Sequence, residues 1–116
     1  MVRPRRLAIA LVAAGALAAC GGDDDLPSVD CTAPVPAFGE VHAFSLVCVN
    51  CHSTTVSGVQ RFGAPPGVNF DDYASAMTHA EEAARRVFSG DMPRAGTVAE
   101  SDKQVLYRWA LCGTPP

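Results

Sequence analysis

Cys48-Val49-Asn50-Cys51-His52 constrains this chain more tightly than any other stretch, because it packs two thiols and an imidazole into five residues. On a helical turn, side chains three positions apart share a face, so the two thiols point the same way and the imidazole follows directly. Whatever they hold is gripped from one side, and the chain must fold around it. Three chemistries use this spacing: a dithiol redox pair, half of a zinc site, or covalent attachment of a haem. In the last, each thiol adds to one vinyl group and the histidine reaches the iron.

The start of the chain narrows the choice. A basic opening, Met1-Val2-Arg3-Pro4-Arg5-Arg6, runs into an uncharged stretch of 13 residues from Leu7 to Ala19. A membrane-spanning helix needs roughly 20 residues, so this stretch fits the apolar region of a bacterial export signal better. Leu17-Ala18-Ala19-Cys20 resembles a lipobox, in which the cysteine is acylated and becomes the first mature residue. Gly21-Gly22-Asp23-Asp24-Asp25 then reads as a flexible acidic tether. The expected organisation is an export signal over 1–19, a tether over 20–36 and one domain over 37–116.

The 97 residues that remain after the signal are enough for one small domain. Three of the nine Lys+Arg residues lie in the signal, which leaves six against twelve Asp+Glu and a net charge of about −6. That balance gives no basis for nucleic-acid binding and opposes adhesion to anionic lipid. Membrane contact is therefore expected through lipidated Cys20 alone, with the domain outside the cytoplasm. Gly21 behind the cysteine favours the outer membrane over the inner.

Export also sorts the cysteines. With Cys20 as anchor and Cys48 and Cys51 in the pentapeptide, Cys31 and Cys112 remain, and in an oxidising compartment they are expected to form a disulfide. The 81-residue loop so closed corresponds to roughly 4 to 5 kcal/mol in the chain-entropy model, an upper figure.

Apolar spacing predicts three helices and no strand. The first covers Ala37 to Cys51, with Val41, Phe44, Val47 or Cys48, and Cys51 on one face. Residues 53–69 hold Gly58, Gly63, Pro65, Pro66 and Gly67 and read as a long loop, of a length that suits wrapping a cofactor. The second helix is capped by Asp71 or Asp72 and stopped by Gly90, with Tyr73, Met77, Ala80, Ala84 and Val87 inward and Glu81, Glu82, Arg85 and Arg86 outward. The third runs from about Ala99 to Cys112 with Val105, Leu106 and Trp109 inward, opened by a capping box at Thr97–Glu100 or Ser101–Gln104. Such an all-α chain with eight aromatics builds a thin core. A planar apolar cofactor would supply the missing mass, so the cofactor-free chain is expected to be poorly folded.

If the group is a haem, His52 is its proximal ligand, and the other ring nitrogen needs an acceptor to fix the tautomer. A carbonyl within Ala64-Pro65-Pro66 is the expected acceptor. For the sixth iron position, Met92 stands out, held in a tight Gly90-Asp91-Met92-Pro93 loop 40 residues after His52. Met77 reads as core, His42 lies too near the pentapeptide, and His79 reads as exposed, with bis-histidine ligation through His79 as the alternative. A thioether favours ferrous iron and raises the reduction potential. Arg61 and Arg94 are candidates for propionate contacts. A zinc site would need two more ligands, and His42, His52 and His79 do not fall at a finger-like spacing.

Phe44 four positions before Cys48, the Cys-x-x-Cys-His, the proline-bearing loop, Gly90-Asp91-Met92-Pro93, and Leu106 with Trp109 in the last helix together resemble a class I cytochrome c over residues 38 to 113. The resemblance implies a small all-α fold of about three helices around one covalent haem c. It implies thioether bonds to Cys48 and Cys51, iron held by His52 and Met92, and Phe44 and Trp109 packing where the first and last helices cross. It also implies a carrier of single electrons between donor and acceptor proteins of the cell envelope, not an enzyme. The family usually has a glycine eight positions before the first cysteine; here Glu40 stands there and Gly39 precedes it. The close helix contact is thus expected from a shifted register or from Ala43. Two other functions remain open: a haem sensor or small haem enzyme with a displaceable distal ligand, and a haem-free dithiol or zinc lipoprotein.

Overall fold

A computed structural model describes residues 25–116. The expected export signal, the expected lipidation site Cys20 and the expected tether as far as Asp24 lie outside the described residues. Asp25 to Pro36 runs without helix or strand, as its composition predicts, and Cys31 is disulfide-bonded to Cys112 with the two Cα atoms 5.4 Å apart. Leu26 and Val29 from this arm pack against the core.

The described residues form helices and no strands. The helices are α1 (His42–Leu46), α2 (Tyr73–Thr78), α3 (Ala80–Ser89) and α4 (Glu100–Leu111), and none is long and apolar enough to cross a membrane. Where one helix is expected from Ala37 to Cys51, the chain makes a 3-10 turn at Phe38–Glu40, the short α1 and a second 3-10 turn at Cys48–Asn50. The breaks fall at Val41 and Val47, whose backbone angles leave the helical region. β-Branched residues are poor helix formers, and Val41 is almost wholly buried, so packing decides its backbone. Val41 and Phe44 are still buried and Val47 and Cys48 still pack against the core, so the apolar stripe survives the breaks.

The helix expected from Asp72 to Gly90 is also two. Asp72 caps α2 as predicted, its carboxylate accepting from the Ser75 N–H at 3.0 Å. Thr78 donates its hydroxyl to the Ala74 carbonyl, a bond that bends helices, and the chain turns at His79 before α3 begins. Ala76, Ala80, Ala84 and Val87 remain on one buried face. Gly90 ends α3 at φ 86°, the left-handed conformation that a helix stop needs. On the outer face, Arg85 pairs with Glu81 and Glu82, and Arg86 with Glu82, at 2.6–3.0 Å.

α4 packs along α3 and crosses α1. It starts one residue later than expected, behind Ala99, and no side chain caps it, so neither predicted capping box forms. Leu106, Tyr107, Trp109 and Ala110 face inward. Phe44 meets Trp109 edge-on with ring centroids 5.3 Å apart and stacks on Phe70 at 4.7 Å. Phe38 lies against Phe44, Tyr73 and Trp109. The C-terminal tail closes this cluster: Trp109 Nε1–H donates to the Pro115 carbonyl at 2.8 Å and the Tyr73 hydroxyl to Thr114 at 2.7 Å. In the contact between the first and last helices, Ala43 is buried, whereas a Cβ on Gly39 would meet nothing within 4 Å.

Candidate functional site

Cys48 and Cys51 sit on the 3-10 turn that follows α1, half-buried and not paired with each other. Burial pushes the Cys48 thiol up to about 11, with the neighbouring Cys51 acting in the same direction. Among the described residues, no group of three or more His, Cys, Asp or Glu side chains comes together as a metal would require.

The turn runs directly into His52, whose N–H donates to the Cys48 carbonyl at 2.9 Å. Its ring nitrogen Nδ1 lies 3.1 Å from the Val68 carbonyl oxygen. A carbonyl only accepts, so Nδ1 carries the proton and Nε2 is left with its lone pair available to a metal. Burial lowers the His52 pKa, and the positive charges of Arg61, Arg94 and His79 press the same way against the Val68 hydrogen bond. The ring is thus kept neutral, the form that ligates iron. Phe70 meets it edge-on at 5.4 Å, and the Phe70 N–H donates to the His52 carbonyl at 2.9 Å.

The acceptor is Val68, not a residue of Ala64-Pro65-Pro66. The three expected carbonyls meet other donors: Ala64 and Pro65 accept from Arg61 at 3.1 and 2.7 Å, and Pro66 accepts from the Asn69 side-chain amide at 2.9 Å. The prolines shape the turn, and the carbonyl that emerges toward His52 comes two residues later.

Arg61 also departs from expectation. Its side chain is 5 % exposed and spends all five N–H donors on backbone carbonyls. Nε donates to Ala64, Nη1 to Ser53 and Val56, and Nη2 to Pro65 and Val68, at 2.7–3.1 Å. No donor remains for a propionate, so Arg61 is the internal strut of the loop over 53–68. Sequence pattern misses this because a lone arginine in a glycine-rich loop has the signature of a surface residue. The strut holds a 3-10 turn, Gly58–Arg61, and behind it Phe62 at φ 50°, a left-handed backbone uncommon for a side chain of this size. Val59 and Phe62 project from this turn, 92 % and 75 % exposed.

A second clamp was not foreseen. The Asp71 carboxylate accepts from the Thr54 N–H and hydroxyl and from the Ser53 hydroxyl. It ties the residues just after His52 to the start of α2.

Met92 is half-buried against the core, its N–H donating to the Arg86 carbonyl at 3.1 Å, and its bond to Pro93 is cis. Arg94 is exposed. Among the other ligand candidates, His79 is half-buried at the break between α2 and α3 rather than exposed, and His42 is exposed. Met77 is 44 % exposed instead of in the core, because the bend at His79 turns it off the face that carries Ala76 and Ala80. Phe44 and Trp109 pack against each other as the resemblance implied.

Two unpaired thiols on one turn beside a neutral histidine with Nε2 available are a donor set that fits a covalently held haem, and Met92 adds a half-buried thioether elsewhere on the core. Compared with known proteins, the chain matches no family model, no curated protein and no solved structure.

Proposed function

We propose that this protein is a monohaem c-type cytochrome, anchored to a bacterial envelope membrane through lipidated Cys20, that carries single electrons between redox proteins. The observation that carries the reading is the hydrogen bond from His52 Nδ1 to Val68, beside two thiols that stay unpaired in a chain that does form the Cys31–Cys112 disulfide. A proximal ligand needs this second hydrogen bond to fix its tautomer and ring plane.

When bound, the haem supplies the one-electron ferric–ferrous couple. Cys48 and Cys51 would hold it through thioethers, and His52 Nε2 and the Met92 sulfur would hold its iron. The chain's own part is to orient and to exclude water. Val68 sets the imidazole plane, Phe70 covers one ring edge, and Arg61 and Asp71 hold the loop that presents Val68. Filling both axial positions leaves no open site for substrate, which suits a carrier.

One feature favours a second reading, a haem sensor whose distal ligand is displaced. The Met92 loop is tied to the end of α3 by the Met92 and Asp91 N–H bonds and by a 3.8 Å contact between Arg86 and Asp91. Intact mass and visible spectra of the matured protein test both. A covalent haem adduct, with a low-spin ferric spectrum and a ferrous form that does not bind carbon monoxide, supports the carrier. No adduct removes both readings, and ready carbon monoxide binding selects the sensor.

A further inference from the structure

The Val68 carbonyl has two donors. His52 Nδ1–H reaches it at 3.1 Å and Arg61 Nη2–H at 3.0 Å. A carbonyl oxygen can accept two hydrogen bonds, but a charged donor draws electron density from it and leaves less for the second. The position of this carbonyl does not depend on Arg61 alone. The Val68 N–H donates to Pro65 at 3.0 Å, the Asn69 N–H to the Ser75 hydroxyl at 2.9 Å and the Phe70 N–H to His52 at 2.9 Å, so the chain is pinned on both sides of the group. Besides its bonds to the loop, Arg61 brings a charge to this oxygen, held in a 5 % exposed side chain whose hydrogen-bond partners are all backbone carbonyls.

We propose that Arg61 is a positioning residue for His52, weakening the hydrogen bond from Nδ1–H to Val68 by competing for the same oxygen. The imidazole is then a poorer electron donor through Nε2. Toward iron, which rests on the reading of His52 as a ligand, the consequence is a preference for the ferrous state. Arg61 acts through a shared backbone oxygen.

The test uses the full matured chain, isotope-labelled and reduced. In the wild type, scalar couplings across hydrogen bonds should connect the Val68 carbonyl carbon to both His52 Nδ1 and Arg61 Nη2. Arg61→Met removes the charge and all five donors. Its His52 Nδ1–H resonance should move downfield as the bond to Val68 strengthens. The ratio of ferric to ferrous protein at a fixed solution potential should rise threefold to tenfold, where tenfold corresponds to about 59 mV for a one-electron couple. A lower potential with an unmoved Nδ1–H resonance would show a through-space charge effect only and overturn the proposal, as would an upfield shift. If Arg61→Met does not fold, the wild-type couplings decide, and the absence of either one overturns it. A matured chain without haem overturns the electron-carrier reading and the role toward iron together. A haem-bearing chain that lacks the shared carbonyl overturns the Arg61 proposal alone.

Discussion

The loop before α2 and the loop before α4 are built in opposite ways. Residues 53–71 are fastened from within: Arg61 gathers five carbonyls, Asp71 holds Ser53 and Thr54, and Val68 receives His52. Residues 90–98 make their hydrogen bonds at one end, where Gly90, Asp91 and Met92 bond back to the last turn of α3, and are otherwise held by the packing of Met92 and Val98 on the core. Internal hydrogen bonds to a buried charge are among the stronger ones and lock geometry, whereas a loop tied at one end opens at low cost. The chain itself therefore prepares the histidine side of the site. On the methionine side, much of the order would have to come from the bond to iron.

The largest effect should come from removing the attachment of the proposed haem. In Cys48→Ala/Cys51→Ala, haem is not retained after denaturation, and the exported chain should lose most of its near-ultraviolet circular dichroism, since the core is thin and five large apolar side chains stay exposed. If the contrast between the loops is correct, amide protection should disappear first in 90–98 and persist longest in 61–70. Uniform loss across both loops would break the comparison.

Next in size is Met92→Ala. This change should leave the covalent haem and the His52 side intact but convert the ferric spectrum from low to high spin and allow carbon monoxide to bind the reduced form. An unchanged spectrum would mean that the sixth ligand is another residue, with His79 the first to examine. The Cys31–Cys112 bridge lies in neither loop. Cys31→Ser/Cys112→Ser should cost about 2–5 kcal/mol in thermal or denaturant unfolding without changing the spectrum, so it separates global stability from the site.

These outcomes bear on what the residues disclose by themselves. The pentapeptide, the disulfide pair, the Asp72 cap and the Gly90 stop are local chemistry, so they are legible in sequence. The breaks at Val41, Val47 and His79 are not, because periodicity reports which face is apolar and says nothing of where the backbone must bend to bury it. Arg61 is the plainest case. Its burial depends on five carbonyls drawn from Ser53 to Val68 that converge only once the loop is closed. The choice of Val68 over Pro65 has the same origin, since the prolines' own carbonyls meet other donors in that closure.

The smallest effect should be at Asp71, and it tests the fastened loop alone. Its slight burial raises the carboxyl pKa, but the hydrogen bonds from Thr54 and Ser53 outweigh that and hold it below the usual carboxylate value. A carboxylate lowered in the folded state stabilises it above the unfolded pKa of about 3.9, and the contribution fades as the pH falls through the folded value. Asp71 is close to fully exposed, so solvent screening keeps the contribution well under 1 kcal/mol. Asp71→Asn should therefore lower stability slightly at pH 7, and the gap from wild type should close at a second, acid pH below the folded carboxyl value. In hydrogen exchange, the difference should appear at Thr54 and its neighbours, with 90–98 unaffected. If the gap were the same at both pH values, Asp71 would act through shape alone, and the fastening of this loop would rest on Arg61.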